Sequence, residues 1–364
     1  TGTLIPRASA HPADPFDPLL AQLILNDDTS RQWRETPPSR MTAALQQPAL
    51  TGLSQPQYKL TVNVDGLYEV TYAELEAAGV PVATLDPRTF ALHTQGMEVA
   101  LYVPGEEDGV FDPEDRIIFY GEKVNTLYTD VNVYWLTWGG APGLRMAEVD
   151  GTPTGNGVPA SSFRTTQRLE RNRLYQSARP SGPDHDRWYW SAILAKSPTT
   201  AHFTTTLAAP VTGPLTATVR GLFKSYDATP KHHTQVFFNG QRIVDATWAT
   251  GGEYAFAVDV PASLLAGGVN TITVYAPMDM GITTDYVFVN YFEIEYDRAY
   301  MVTGDYLTFN GDAAGSWTYT VTGFTTATVQ ALDITTPTLP VRILNVAVDP
   351  DGDLYTARFE QTIE

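Results

Sequence analysis

Two acidic stretches and a scatter of aromatic residues carry what site chemistry the chain offers. Asp349-Pro350-Asp351-Gly352-Asp353 sets three carboxylates at alternate positions around a glycine, as the first half of a calcium loop does. The sixth loop position, normally glycine, is Leu354, and the twelfth, Glu360, follows strand-like rather than helical residues. A tight hairpin turn explains Pro350, Asp351 and Gly352 without an ion. Asp349, Asp351 and Asp353 are thus calcium candidates with a turn as the competing reading; no other cofactor is expected. The stretch from Glu106 to Asp115 is denser in charge, but its Asp-Gly and Asp-Pro steps are ordinary turn chemistry.

Flat aromatic rings pack on the apolar faces of sugars, so exposed ones mark a second kind of site. Trp188, Tyr189 and Trp190 follow a charged run ending at Arg187, and Trp248 lies in a loop-like stretch. The competing reading is core filling: Trp188 and Trp190 alternate onto one strand face, where both would be buried. Trp248 and Asn239, the latter in an Asn239-Gly240 loop at one end of a sandwich, are the ligand-binding candidates.

No catalytic residue is nominated. The chain has no cysteine, so a cysteine nucleophile is excluded. No Gly-x-Ser-x-Gly elbow is present, and Ser316 falls in a hairpin pattern. The glycines at 151, 155 and 157 lack the following helix of a phosphate cradle. Of the histidines, none has the His-x-x-x-His spacing of zinc proteases, and the adjacent His232 and His233 point to opposite faces of a strand. With so many Asp and Glu, no glycosidase pair stands out.

The elements that would position these residues are mostly strands. Residues 1–56 form an opening segment: Leu19, Leu20, Leu23 and Ile24 share a helical face after Asp17-Pro18, and residues 35–56 read as a linker or strap. A unit over 57–160 begins with an alternating strand from Tyr58, an Asp65-Gly66 hairpin signal and a return through Tyr72. Thr71 and Glu74 then make a capping box for a short helix that Gly79 ends. Residues 161–298 carry many short strands at regular spacing, with Asn239-Gly240 as a type I′ turn, which predicts a sandwich or jelly roll. Residues 299–364 alternate again, with hairpin signals at Asn310-Gly311 and Asp351-Gly352 and a strand pattern around Tyr306 and Thr308. The fold class expected is mainly β and multidomain, with a central jelly roll and a small Ig-like sandwich at the C-terminus.

Two resemblances attach to these patterns. The wording from Tyr58 to Leu75, then Asp112–Gly121 and Tyr128–Leu136, resembles the region ahead of the peptidase domain in bacterial secreted gingipain-like (C25) cysteine peptidase precursors. The run from Asp333 to Val341 is similar to a phrase that precedes the catalytic domain there. His232–Gly240, Trp248 and Leu264–Val274 resemble galactose-binding-like jelly rolls. The first resemblance implies a non-catalytic accessory or pro-region, a secreted or cell-surface bacterial location, and a peptidase domain after Glu364 as partner. In that family a cysteine and a histidine on a caspase-like domain perform the cleavage, and no residue of this chain replaces them.

Composition bounds the rest. With 364 residues, 43% hydrophobic and 11% aromatic, the chain can build two or three separate cores. A net charge of −18 repels phosphate backbones, so nucleic acid is not an expected partner. No run approaches the length of a membrane-spanning helix. Three functions from different classes stand: a peptidase accessory or pro-region, a module binding carbohydrate or another cell-surface partner, and a self-assembling surface protein.

Overall fold

The computed structural model describes residues 57–126, 128–177, 186–225, 231–249, 252–281, 283–311 and 313–364. The helix expected after Asp17-Pro18 and the linker of residues 35–56 lie outside these. Strands dominate, and no helix among the described residues is long and apolar enough to cross a membrane.

The first unit contains β1 (Gln57–Val62), β2 (Gly66–Thr71), helix α1 (Tyr72–Ala77), β3 (Ala91–Thr94), β4 (Met97–Val99), β5 (Arg116–Gly121) and β6 (Asn132–Thr137). The expected hairpin at Asp65-Gly66 does not form: β1 pairs with β6, in a sheet of order β1-β6-β3-β4, while β2 pairs with β5 in another sheet. Splitting the two strands lets Val62 from one layer and Val70 from the other enter a shared core with Leu92, Phe119 and Leu136. The Asp65 carboxylate accepts the Lys123 backbone N–H at 2.8 Å, which fixes the corner where the chain changes layer. The capping box on α1 is present, Thr71 N–H donating to Glu74 Oε2 at 2.8 Å and Glu74 N–H to Thr71 Oγ1 at 3.3 Å. Gly79, at φ +83°, takes the left-handed conformation that ends the helix.

Two further strands precede the centre: β7 (Ala147–Asp150) and β8 (Val158–Pro159). The centre comprises β9 (Phe163–Glu170), β10 (Leu174–Tyr175), β11 (Trp188–Tyr189), β12 (Ser191–Ala195), β13 (Thr199–Thr206), β14 (Thr216–Ser225), β15 (His232–Phe238), β16 (Gln241–Trp248), β17 (Glu253–Pro261), β18 (Val269–Ala276) and β19 (Asp285–Arg298). One sheet runs β12-β19-β14-β17, with β9 also on β19; the facing sheet runs β13-β18-β15-β16. Inward residues alternate along each strand, as His232, Thr234, Val236 and Phe238 do on β15, and they meet Phe223, Phe256 and Phe292 from the other sheet. Gly221 faces Phe256 and Phe292, where a Cβ would stand 2.5 Å from a ring carbon.

The C-terminal unit holds β20 (Gly315–Phe324), β21 (Ala331–Asp333), β22 (Val341–Leu344), β23 (Ala347–Asp351) and β24 (Leu354–Ile363). Its sheets recruit strands from before the sandwich: β7 runs parallel to β22, and β8 parallel to β20. The division at residue 160 is therefore crossed by strand pairing, and the central sandwich sits as an insertion between β8 and β20. Its two ends are neighbours, since Phe163 is opposite Arg298 across β9 and β19. Among the described residues, no strand forms at Tyr306–Thr308 and no hairpin pairing at Asn310-Gly311; an isolated bridge joins Thr303 to Tyr306. Instead the segment turns Phe309 inward onto Phe163, Tyr300 and Tyr319, at ring distances of 4.9–5.6 Å. Ala100 N–H donates to Thr338 O at 2.8 Å, and the Arg342 guanidinium lies 3.4 Å from the centre of the Tyr102 ring, tying the first and last units together.

Candidate functional site

The densest polar constellation lies at one end of the central sandwich. Ser225 closes β14, His232 opens β15 and Asp285 opens β19, so the three arrive from two facing sheets. His232 Nδ1 is 2.5 Å from Asp285 Oδ1, and its Nε2 is 3.0 Å from Ser225 Oγ. Trp248 stacks on the imidazole at 4.2 Å between ring centres and donates its indole N–H to Thr234 Oγ1 at 3.0 Å. This is the atom order that activates a serine nucleophile. Burial decides against that use: His232, Asp285 and Ser225 are 0%, 1% and 2% exposed, leaving no room for a substrate carbonyl at Oγ. The trio works as a polar tie across the two sheets. Alternation along β15 was a sign that His232 is inward; its partner 53 residues away carried no sequence signal.

Both ligand candidates turn out to serve the sandwich itself. Trp248 is not in a loop: it ends β16 and is 8% exposed. Asn239 does occupy the type I′ turn, with φ +47° before Gly240 at +86°. Its side chain is consumed internally, donating to Leu264 O and Asn270 Oδ1 at 2.8 Å each and accepting from Thr271 N–H at 2.8 Å. Asn270 in turn donates to Ala266 O and Gly268 O, so Asn239 and Asn270 latch two turns together. No amide group of Asn239 is left over for a sugar hydroxyl.

The calcium candidates are also dispersed. Asp349 pairs with Arg358 at 2.5 Å, and Asp351 accepts from Thr356 Oγ1 at 3.3 Å. Asp351 faces Leu354 across the hairpin, so Gly352 and Asp353 are its two turn residues. Glu360 points elsewhere. Its carboxylate accepts from Thr154 Oγ1 at 2.6 Å, Gly155 N–H at 2.7 Å and Thr318 Oγ1 at 3.1 Å, with Thr154 chief among the contacts that pull its pKa down to about 2. The glycines at 155 and 157 thus belong to a loop that wraps this carboxylate. In the other acidic stretch, Glu106 pairs with Arg145 at 2.7 Å and Asp115 accepts from Asp112 N–H at 2.9 Å. Among the described residues, no group of three or more His, Cys, Asp or Glu side chains is placed to hold a metal ion.

On the outer face of β15, His233 is gripped by two carboxylates. Nδ1 lies 2.6 Å from Asp279 Oδ1 and Nε2 lies 2.7 Å from Asp245 Oδ1, while Arg242 also reaches Asp245 at 2.7 Å. Burial works to lower the pKa of the ring, but hydrogen bonds to Asp279 and Asp245 outweigh it and leave the net shift upward. The result ties the loop after β18 to the face of β15 and β16.

The aromatic run near residue 188 divides differently from its expected pattern. Trp190 is half-buried and meets Phe203 edge-on at 4.8 Å, but Trp188 is 42% exposed. The chain leaves one ladder and joins another at Trp190, which interrupts the alternation. Tyr189 is the residue turned inward, 4.8 Å from Phe288. Trp188 lies opposite Tyr175 on the β10–β11 ribbon, their ring centres 5.1 Å apart.

No family model matches the chain, and no curated protein matches it. A solved structure does, over most of the chain. The fold resembles part of a PorU chain. With the crystal structure of dimeric latent PorU from Porphyromonas gingivalis, the TM-score is 0.57 over 85% of this chain, at 14% identity. The chain spans 30% of that PorU chain. A CBM36-1 domain of a multidomain xylanase from the hindgut metagenome of Trinervitermes trinervoides overlaps 36% of this chain and 96% of its own, at 11% identity and a TM-score of 0.25. A family 35 carbohydrate-binding module from an environmental isolate overlaps 37% and 87%, at 18% identity and a TM-score of 0.21.

Proposed function

We propose that the chain is the non-catalytic accessory or pro-region of a secreted bacterial gingipain-like cysteine peptidase, packing against a peptidase domain that follows Glu364. The observation that carries this reading is the fold likeness to latent PorU, which extends over 85% of the chain rather than over one sandwich. The absence of cysteine is consistent with a part of such a precursor other than its cysteine-bearing catalytic domain. Contacts between the first and last units, through Ala100 with Thr338 and Tyr102 with Arg342, support a block that presents one continuous surface to a neighbour.

The test expresses the chain and the adjoining peptidase domain as separate polypeptides and mixes them at micromolar concentration. Co-elution on size exclusion is expected, as an interface of at least about 1,200 Å² provides. Two independent peaks overturn the docking. The chain alone is expected to leave fluorogenic Arg and Lys peptides intact. Turnover that a substitution within it abolishes refutes the non-catalytic assignment.

A further inference from the structure

We propose that the exposed face of the β10–β11 ribbon is a binding site for a carboxylate-bearing pyranosyl glycan, a uronate polymer, with Tyr175 and Trp188 as the sugar platform and Arg173 as the carboxylate contact. The site is independent of the peptidase-docking reading. Three observations lead to it.

The two rings are directly opposite in the ladder and 5.1 Å apart, yet 52% and 42% of their surfaces remain in water. The same ribbon packs Tyr189 inward on Phe288, so it is anchored by one face and presents the other. A tilt of 58° between the rings makes a shallow V rather than a single stack. Such a V offers π faces to the axial C–H groups of a pyranose while the sugar's hydroxyls stay at the rim. An aliphatic partner would need a deeper apolar surround than a two-residue ribbon provides.

Charge then selects among glycans. Arg173 lies two residues before Tyr175, just ahead of β10, and its backbone N–H donates to Tyr189 O across the ribbon at 3.0 Å, which holds it beside the pair. Its side chain is exposed and has no partner among the described residues. Arg171 and Arg187 flank the pair in sequence, in a chain whose acidic residues outnumber basic ones 41 to 23. A guanidinium binds a carboxylate through two parallel N–H donors, which a neutral hexose does not match. One carboxylate stands at the ribbon, where Asp186 accepts the Trp188 backbone N–H at 2.8 Å; at physiological salt the Debye length is about 8 Å, so acidic groups beyond that distance are screened.

Binding is read with the full chain by affinity electrophoresis in gels containing polygalacturonate and by calorimetry with oligogalacturonates. Neutral galacto-oligosaccharides and polyglutamate serve as comparison probes. The expected result is retardation by polygalacturonate that Trp188→Ala and Tyr175→Ala each weaken by about tenfold or more. Arg173→Gln is expected to remove the preference for the uronate over the neutral sugar. These side chains are exposed, so an unchanged melting temperature certifies each variant as folded. Absence of retardation, or retardation unaffected by Trp188→Ala, overturns the proposal. Equal binding of neutral and acidic sugars overturns the uronate assignment. Polyglutamate binding as tightly as the uronate marks the ribbon as a protein-docking surface and overturns the glycan site.

Discussion

His232 Nδ1 lies 2.5 Å from Asp285 Oδ1 inside the central sandwich, with neither residue more than 1% exposed. The pair links β15 of one sheet to β19 of the other, and Ser225 on β14 adds a second polar contact to the same imidazole. Asp285 Oδ2 has no hydrogen-bond partner among the described residues, so there the imidazole contact accounts for the polar satisfaction of this carboxylate. Removing either partner leaves a buried polar atom of the other without the hydrogen bond it had.

Asp285→Ala is therefore expected to cost about 1–3 kcal/mol, the usual penalty for leaving a buried hydrogen-bonding group unsatisfied. Ser225→Ala, which deletes one neutral hydrogen bond, is expected to cost about 1 kcal/mol. Urea denaturation of the purified variants measures both. A fluorophosphonate probe is expected to leave Ser225 unlabelled; labelling at this residue contradicts the structural role.

Trp248→Ala is expected to act on stability and not on ligand binding. Loss of a buried indole that stacks on His232 costs about 3–5 kcal/mol. Chemical unfolding reads the loss, and glycan retardation of the folded variant at low temperature is expected to match the parent chain. A binding defect without destabilisation counts against the assignment.

Acid sensitivity is expected from Glu360. Its folded pKa, about 2, is below the ordinary value of 4.5, so its hydrogen bonds stabilise the fold fully above 4.5. That contribution disappears as pH falls from 4.5 toward 2. Melting temperatures across this window are expected to fall less steeply for Glu360→Gln than for the parent chain. Parallel curves refute the assignment.

His233 works in the opposite sense. Its folded pKa is raised above 6.5, so the clamp to Asp245 and Asp279 contributes fully below 6.5 and weakens as pH rises through the raised value. The ring resonances, followed by NMR, are expected to titrate above 6.5, and Asp279→Asn to move the midpoint down. A midpoint at or below 6.5 in the parent chain contradicts the clamp.

The central sandwich is expected to be removable. Arg164 and Asp297 are register partners at its base, beside Phe163 and Arg298. Replacing Thr165–Tyr296 by Asn-Gly gives a two-residue turn there and keeps Phe163 in the C-terminal core beside Tyr300. The shortened chain is expected to unfold in one cooperative transition. A molten product with no transition disproves the insertion.

The strands and turns were largely legible because they depend on local rules. Alternation along Tyr58–Val62, His232–Phe238 and Leu354–Phe359 needs only the two-residue period of a strand. Asn239-Gly240 and the Thr71–Glu74 box need only their own backbone geometry. Opposite faces for His232 and His233 followed from the same period. The mainly β fold class was readable from these features alone.

Partnership was not readable, because it depends on residues far apart in the chain. Asp65-Gly66 has the composition of a hairpin, yet core burial sends β1 to β6 and β2 to β5. The parallel pairing of β7 with β22 spans nearly two hundred residues and turns three consecutive units into an insertion. Trp248 and Trp188 have the same residue type but opposite fates, since one ends a core strand and the other lies on a ribbon whose inner face Tyr189 already fills. Local sequence sets the period and the turns; which surface is left facing water is decided by packing among strands that the sequence does not place side by side.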